Sequence, residues 1–291
     1  MIVSANTSGR LGNRLVSFFY VFASALQSGQ RLVFLTGKDI LDLFDHDCFL
    51  RARSEVVIVR RTGLVEFLLR CQQSYHERFS PINELARIDK STRWIQAVRA
   101  GKCPVHFMFD WYFRDNTALV LMREKMREIM RIQERFVRAP TAFWNRHAKG
   151  KETVGVHVRR GDYRTWNEGR FYYSDEEYLR FLSEMSKSVG QAICFFIVSD
   201  ETVDLRAFEA RGLDVHLFKG VDYREDLVML TLCDYVLGPV STFSWWAAYY
   251  GGAKYFAIRD RRTEITKDLF KPIQGGEFDV PRPGQTDRSH S

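Results

Sequence analysis

The chain has 291 residues, 45% apolar and 27% charged, a composition that excludes disorder and collagen-like repeats. At roughly 150 residues per domain it predicts about two domains. The 43 Lys and Arg against 36 Asp and Glu leave a net charge of +7 and a pI near 9.2, which fits an anionic partner: nucleotide, nucleic acid or lipid headgroup.

Ile2 to Ser4 reads as a short strand, followed by a glycine-rich turn and a mostly buried helix from Asn13 to Ser28 that Gly29 ends. The apolar part of that helix, Val16 to Leu26, is interrupted by Ser17 and Ser24 and is far shorter than the roughly 20 residues of a membrane span. The residues before it lack the basic start and cleavage site of a signal peptide. Cys48, Cys71, Cys103, Cys194 and Cys233 are scattered without a CxxC pair, the pattern of a reduced interior. A cytoplasmic protein is therefore expected.

Further strands are predicted at Arg31 to Leu35, Val56 to Val59 and Pro104 to Phe109. A helix is predicted over Ala118 to Val137, where Leu119, Met122, Met126, Ile129, Ile132 and Phe136 recur at spacings of three and four. Pro140 and Gly150 mark a junction, giving domains at 1–145 and 146–275 and a loose tail at 276–291. In the second half, strand candidates at Thr153 to Val158, Ile193 to Val198, Val215 to Phe218, Tyr235 to Leu237 and Tyr255 to Ile258 alternate with helices at Asp175 to Lys187, Val203 to Arg211, Arg224 to Cys233 and Thr242 to Tyr250. Ser174 is the expected N-cap of the first of these helices. The alternation defines an α/β fold built on parallel sheets.

Chemistry concentrates at two strand ends. Gly155-Val-His157-Val-Arg159-Arg160-Gly-Asp162-Tyr163 ends a strand in two guanidiniums, whose planar forks match phosphate oxygens, and ligands of open α/β sheets sit beyond such ends. A loop salt bridge from Arg160 to Asp162 is the plainer reading. Gly238-Pro-Val-Ser241-Thr242-Phe243 opens a helix whose free N–H groups suit an anion; Ser241 capping that helix, with Trp245 and Trp246 filling core, is the alternative.

Three other stretches carry weaker signals. Ser8-Gly-Arg-Leu-Gly12-Asn13-Arg14 is a strand-to-helix turn that matches neither GxGxxG nor the P-loop. Asp226 offers a carboxylate that could accept from guanine N1–H and N2–H, or simply a charge favoured near a helix N-terminus. Asp45-His46-Asp47 spells a DxD-like metal motif but looks like a helix end, and His76, His106, His147, His216 and His290 assemble no zinc pattern.

Together, the His157-Val-Arg159-Arg160-Gly-Asp162 string resembles the HxRRxD motif of the α1,2-fucosyltransferases, with a related version in the α1,6- and protein O-fucosyltransferases of the wider superfamily. The run from Asp226 to Ala248 is similar to the second signature of the α1,2 group, and Ser8 to Arg14 resembles the superfamily's N-terminal GxxGNQ turn. Arg14 stands where that group commonly has Gln, and Gly238-Pro239-Val240 where an Asn often precedes the Ser-Thr pair.

The resemblance implies a GT-B architecture of two Rossmann-like domains facing a cleft. It also implies inverting transfer of fucose from GDP-fucose to a glycan acceptor, with no metal and no other cofactor. Arg159 would bind the β-phosphate and stabilise the departing GDP, and His157 would contact the nucleotide. Asp226 would read guanine while Ser241, Thr242 and Phe243 hold diphosphate and base. Asn13 would stand across the cleft near sugar and acceptor, with Gly12, Arg160 and Asp162 completing the donor side. No residue is marked as general base.

Other readings stay open: another GDP-sugar on the same scaffold, an inactive glycan-binding relative, or a nucleic-acid module. The last is disfavoured because the positive charges are interspersed with acids. A lipid-linked acceptor and peripheral contact with anionic membrane are the further expectations from net charge.

Overall fold

The apolar run around Val16 folds as α1 (Leu11–Gln27), which buries residues on nearly every face, as a helix hydrophobic all round must. In the computed structural model the described residues are 2–4, 9–36, 38–45, 47–48, 56–60, 96, 106–108, 113–189 and 192–278. They divide between two units, Met1–Arg135 and Phe136–Ser291.

In the first unit, β1 (Ile2–Ser4), β2 (Leu32–Thr36), β3 (Val56–Arg60) and β4 (His106–Met108) form a parallel sheet in the order β3-β2-β1-β4. Helix α1 packs Phe18 on Phe34 of β2, with ring centroids 4.7 Å apart, and Phe19 on Phe44, just beyond α2 (Lys38–Leu43). Ser24, which interrupts the apolar run, donates to buried Asp115 at 3.1 Å. The other carboxylate oxygen of Asp115 accepts from the Ala118 N–H and caps α3 (Asn116–Leu121).

The helix expected over Ala118 to Val137 is instead three: α3, α4 (Arg123–Ile129) and α5 (Glu134–Ala148). No glycine or proline marks the second break. Residues 131–133 leave the helix to bond the chain at 43–45: Asp45 donates to Arg131 O at 2.8 Å, Gln133 donates to Leu43 O at 2.9 Å, and the Gln133 amide donates to the carbonyls of Asp42 and Phe44. Pro140, read from the sequence as a junction signal, lies buried inside α5. The expected boundary at 145 falls within the same helix.

In the second unit, β5 (Glu152–Val158), β6 (Ile193–Ser199), β7 (Val215–Leu217), β8 (Tyr235–Pro239), β9 (Lys254–Ile258) and β10 (Lys271–Pro272) form a sheet ordered β10-β9-β8-β5-β6-β7. Only β10 runs antiparallel. The crossovers are α6 (Asp175–Ser188), α7 (Arg206–Ala210), α8 (Tyr223–Thr231) and α9 (Thr242–Gly251). Ser174 caps α6 as expected, in a reciprocal box with Glu177.

Val154, Val156 and Val158 face a core built with Tyr178, Phe181, Leu182 and Met185 of α6. The alternation of a strand therefore turns Gly155 and His157 to the opposite face. Among the described residues no helix is long and apolar enough to cross a membrane.

Candidate active site

Strand order reverses between β5 and β8, which are neighbours although two strands separate them in sequence. This is the topological switch point where open α/β sheets leave a crevice beyond the strands' carboxyl ends. Both motifs end there. Strand β5 delivers His157 and then Arg159 and Arg160, and β8 delivers Val240 and Ser241 at the start of α9.

His157 sits against Gly238 of β8, where an added Cβ would fall 2.9 Å from the His157 carbonyl oxygen and 3.0 Å from its Cβ. That close approach is what glycine permits. The imidazole packs on Phe243 at 5.2 Å between centroids. It is 5% exposed, and its Nδ1 has no hydrogen-bond partner. Burial lowers its pKa to about 4, against a partial opposing pull from Asp200 and Asp162, so the ring is neutral at pH 7. A buried, unpaired ring nitrogen in a crevice is a polar atom poised for a ligand.

The adjacent arginines have different fates. Arg159 meets Asp162 at 2.7 Å and Asp200 at 3.4 Å, and its guanidinium lies 5.8 Å from the Tyr163 ring centroid. Arg160 is buried: Nε donates to Tyr173 O at 3.1 Å, Nη2 to Asp175 at 2.5 Å, and its backbone N–H to Asp200 at 2.9 Å. The loop salt bridge of the plainer sequence reading is therefore made by Arg159 with Asp162, while Arg160 ties the loop to the start of α6. Tyr163 crosses to the other motif, its hydroxyl donating to Val240 O at 2.6 Å. Burial pushes that phenol up to about 12, so it donates as a neutral group.

On the β8 side, Ser241 accepts from the Phe243 N–H at 3.2 Å, making it the N-cap of α9, while Trp245 and Trp246 are fully buried. Asp226, in the first turn of α8, accepts from the Gly220 N–H at 2.9 Å, and burial raises its pKa. Gly12 and Asn13 belong to the first unit, at the start of α1. The Asn13 amide lies over Gly9, where an added Cβ would fall 2.1 Å from Nδ2.

Asp200 was missed by sequence reasoning. It follows the end of β6, and the register that sets Ser199 beside Val158 brings it to both arginines. A carboxylate just past a neighbouring strand's end was the only signal available.

Of the DxD-like triplet, His46 lies outside the described residues, as does His76. Asp45 accepts from the Cys48 N–H at 2.7 Å, a turn-closing role. One grouping that spacing did not reveal does form. Cys194, Asp214 and His216 bring ligand-type atoms within 4.8 Å of one another, at the amino end of the strands. There Lys151 already binds Asp214 at 2.6 Å and His216 bonds it at 2.9 Å.

The fold and crevice define a doubly wound α/β protein whose strand-order switch gathers two arginines and the N-terminus of α9. The model of glycosyl transferase family 11 matches residues 92–267, and the chain belongs to that family. Galactoside alpha-(1,2)-fucosyltransferase 1 of Oryctolagus cuniculus is 30% identical over 140 residues, 43% of this chain and 36% of that protein. The Homo sapiens protein of the same name is 30% identical over 136 residues, covering 41% and 35%. The matched stretch thus spans little more than a third of those relatives.

Among solved structures, a variant of Arabidopsis thaliana FUT1 in complex with GDP superposes with a TM-score of 0.61 at 15% identity, over 93% of this chain and 73% of that one. The NodZ alpha-1,6-fucosyltransferase soaked with GDP-fucose superposes at 0.55 and 13%, over 88% and 94%. At these identities the likeness is one of fold.

Proposed function

We propose that this protein is a fucosyltransferase that takes fucose from GDP-fucose, with inversion and without a metal, and delivers it to a hydroxyl of a glycan acceptor, forming an α1,2 linkage to galactose or a related sugar. The observation that carries the reading is the convergence of the two motifs at the switch point, with Arg159 and His157 ending β5 and the Ser241 N-terminus of α9 beginning beyond β8. Family membership and the names of the sequence relatives support the donor and linkage.

The chemistry follows from where charge develops. As the fucosyl carbon becomes oxocarbenium-like, the leaving diphosphate gains negative charge, and fixed donors aimed at it lower the barrier. Arg159 supplies a planar cation, and the first turn of α9 supplies N–H groups at the positive end of its dipole. An arginine in this role stands where other glycosyltransferases use a divalent cation. Arg160, held by Tyr173 and Asp175, positions the loop rather than the phosphate. Asp226 keeps acceptor capacity for guanine beyond its one bond from Gly220.

The two units are proposed as the two domains of a GT-B enzyme, with Asn13 serving the acceptor side. A cytoplasmic location and an acceptor carried on anionic membrane lipid belong to the same proposal, on the net charge of +7.

The test is a thermal-shift panel of GDP, UDP, CDP and ADP with and without EDTA, since a ligand that binds only the folded state raises its stability. Stabilisation by GDP that survives EDTA, followed by fucose transfer from GDP-fucose to lactose, is expected. A response to UDP instead, or one lost on chelation, overturns the donor assignment.

A further inference from the structure

Immediately after the arginine motif the chain makes an unusual turn around Trp166. Asn167 (φ 51°, ψ 43°), Glu168 (φ 59°, ψ 28°) and Gly169 (φ 71°) stand in left-handed conformation one after another. Asn tolerates that region, but Glu has no such excuse. At Gly169 an added Cβ would fall 3.1 Å from Arg164 O.

The turn is nevertheless fixed. Glu168 donates to Thr165 O at 3.2 Å, Arg170 to Asn167 O at 3.1 Å, and Tyr172 to Gly169 O at 3.0 Å. Consecutive strained residues persist only where the surroundings over-determine them, and they cluster at ligand clamps.

The turn holds a large indole at the surface. Trp166 is 41% exposed, yet it is anchored, its ring 4.8 Å from that of Tyr163 and 5.5 Å from that of buried Phe171. Tyr163 in turn carries the Arg159 guanidinium against its ring and bonds Val240 at the other motif. An aromatic series therefore runs from Arg159 outward to an indole in contact with water. Packing alone would favour burying such a side chain, whereas a rigid aromatic with one side anchored and the other wet is a recognition surface. Asn167 and Glu168, on the same turn, add hydrogen-bonding side chains.

We propose that Trp166 is a stacking platform for a pyranose ring of the acceptor glycan, placed by the strained turn at the outer end of the Arg159–Tyr163 series. The chemistry matches a sugar: C–H bonds of one ring face lie on the indole, while hydroxyls reach polar groups at its edge. The inference rests on the fucosyltransferase reading, because it takes the inner end of the series as the donor site.

The experiment is ligand-observed NMR saturation transfer on the full chain with GDP present, using methyl β-galactoside, methyl β-glucoside, methyl β-N-acetylglucosaminide and methyl α-mannoside as probes. At least one pyranoside binds the native protein, Trp166→Ala weakens it tenfold or more, and Trp166→Tyr restores it to within threefold. GDP affinity, measured by titration calorimetry, stays within twofold in both variants. Unchanged pyranoside binding in Trp166→Ala overturns the platform, as does a native protein that binds GDP but none of the four sugars. A native protein that fails to bind GDP overturns the fucosyltransferase reading itself. Should Trp166→Ala lose its GDP affinity through misfolding, Trp166→Gln carries the same comparison.

Discussion

The two ends of the second unit's sheet are both crowded with charge, yet they differ in how that charge is used. At the amino end, Lys151 bonds Asp214, His216 bonds the same carboxylate, Lys267 bonds Glu152, and Asp234 accepts from Thr153. A cavity of about 510 Å3 opens there, lined by Lys151, Glu152, Asp234 and Lys254 among others. At the carboxyl end, by contrast, a buried His157 nitrogen lacks a partner, and the N-terminus of α9 opens beside the arginine loop. The difference teaches that neither a hollow nor a concentration of charge defines the site. The proposed function rests instead on the hydrogen-bonding capacity that His157 Nδ1 leaves open beside the strand-order switch.

The strongest way to break this comparison is at Arg159. Arg159→Lys keeps the charge but loses the planar fork, and is expected to lower kcat for fucose transfer about 10³-fold, or about 4 kcal/mol, with the melting temperature nearly unchanged. Turnover within tenfold of the native enzyme would remove Arg159 from the chemistry.

Next in size is the pH response of His157 without ligand. The folded protein keeps this ring neutral to about pH 4, whereas the unfolded chain protonates it near 6.5. The unfolded state therefore binds more protons in that window. Stability falls as pH drops from about 6.5 to about 4, by up to about 1.4 kcal/mol per pH unit. Denaturant melts across this range should be flatter for His157→Asn; parallel curves would contradict the assignment.

Arg160→Leu sharpens the contrast between neighbours. It strips Tyr173 O and Asp175 of their partner and is expected to cost about 2 kcal/mol, because Asp175 is partly open to solvent, lowering the melting temperature by roughly 4–8 °C. A fully stable variant with abolished GDP binding would instead make Arg160 a donor ligand.

The smallest effect lies at the amino end. Lys151→Met removes a half-exposed ion pair worth about 1 kcal/mol or less, and GDP affinity by calorimetry is expected to stay the same. A tenfold change would mean that the two ends are coupled.

Much of this architecture is legible in the residues. The β-branched runs locate β5, β6 and β8 to within two residues, and Ser174 announces α6 as its N-cap. The strand-end strings at 157–162 and 238–243 locate the crevice, because local pattern and strand direction suffice to read them.

What escapes the sequence depends on contacts between distant segments. The break before α5 comes from pairing of 131–133 with 43–45, which no local breaker residue signals. Likewise Arg160 and Asp162 are two apart, so they look like a pair, but the fold gives Asp162 to Arg159 and Asp175 to Arg160. The Cys194, Asp214 and His216 grouping spans β6 and β7 and has no spacing to betray it.

The last strand of the sheet is two residues long and consists of Lys271 and Pro272. Beyond it, Glu277 fastens the segment by accepting from Trp245 Nε1 at 2.7 Å and from Arg259 at 2.6 Å, and Phe278 lies on Trp245. A short edge with a lysine and a proline is a poor template for a foreign strand. It also pairs with the start of β9, Lys271 standing beside Tyr255 and Pro272 beside Lys254. Cutting the chain after Phe270 is therefore expected to uncover Lys254 and Tyr255 at the sheet's border and to strip Trp245 and Arg259 of their Glu277 partner.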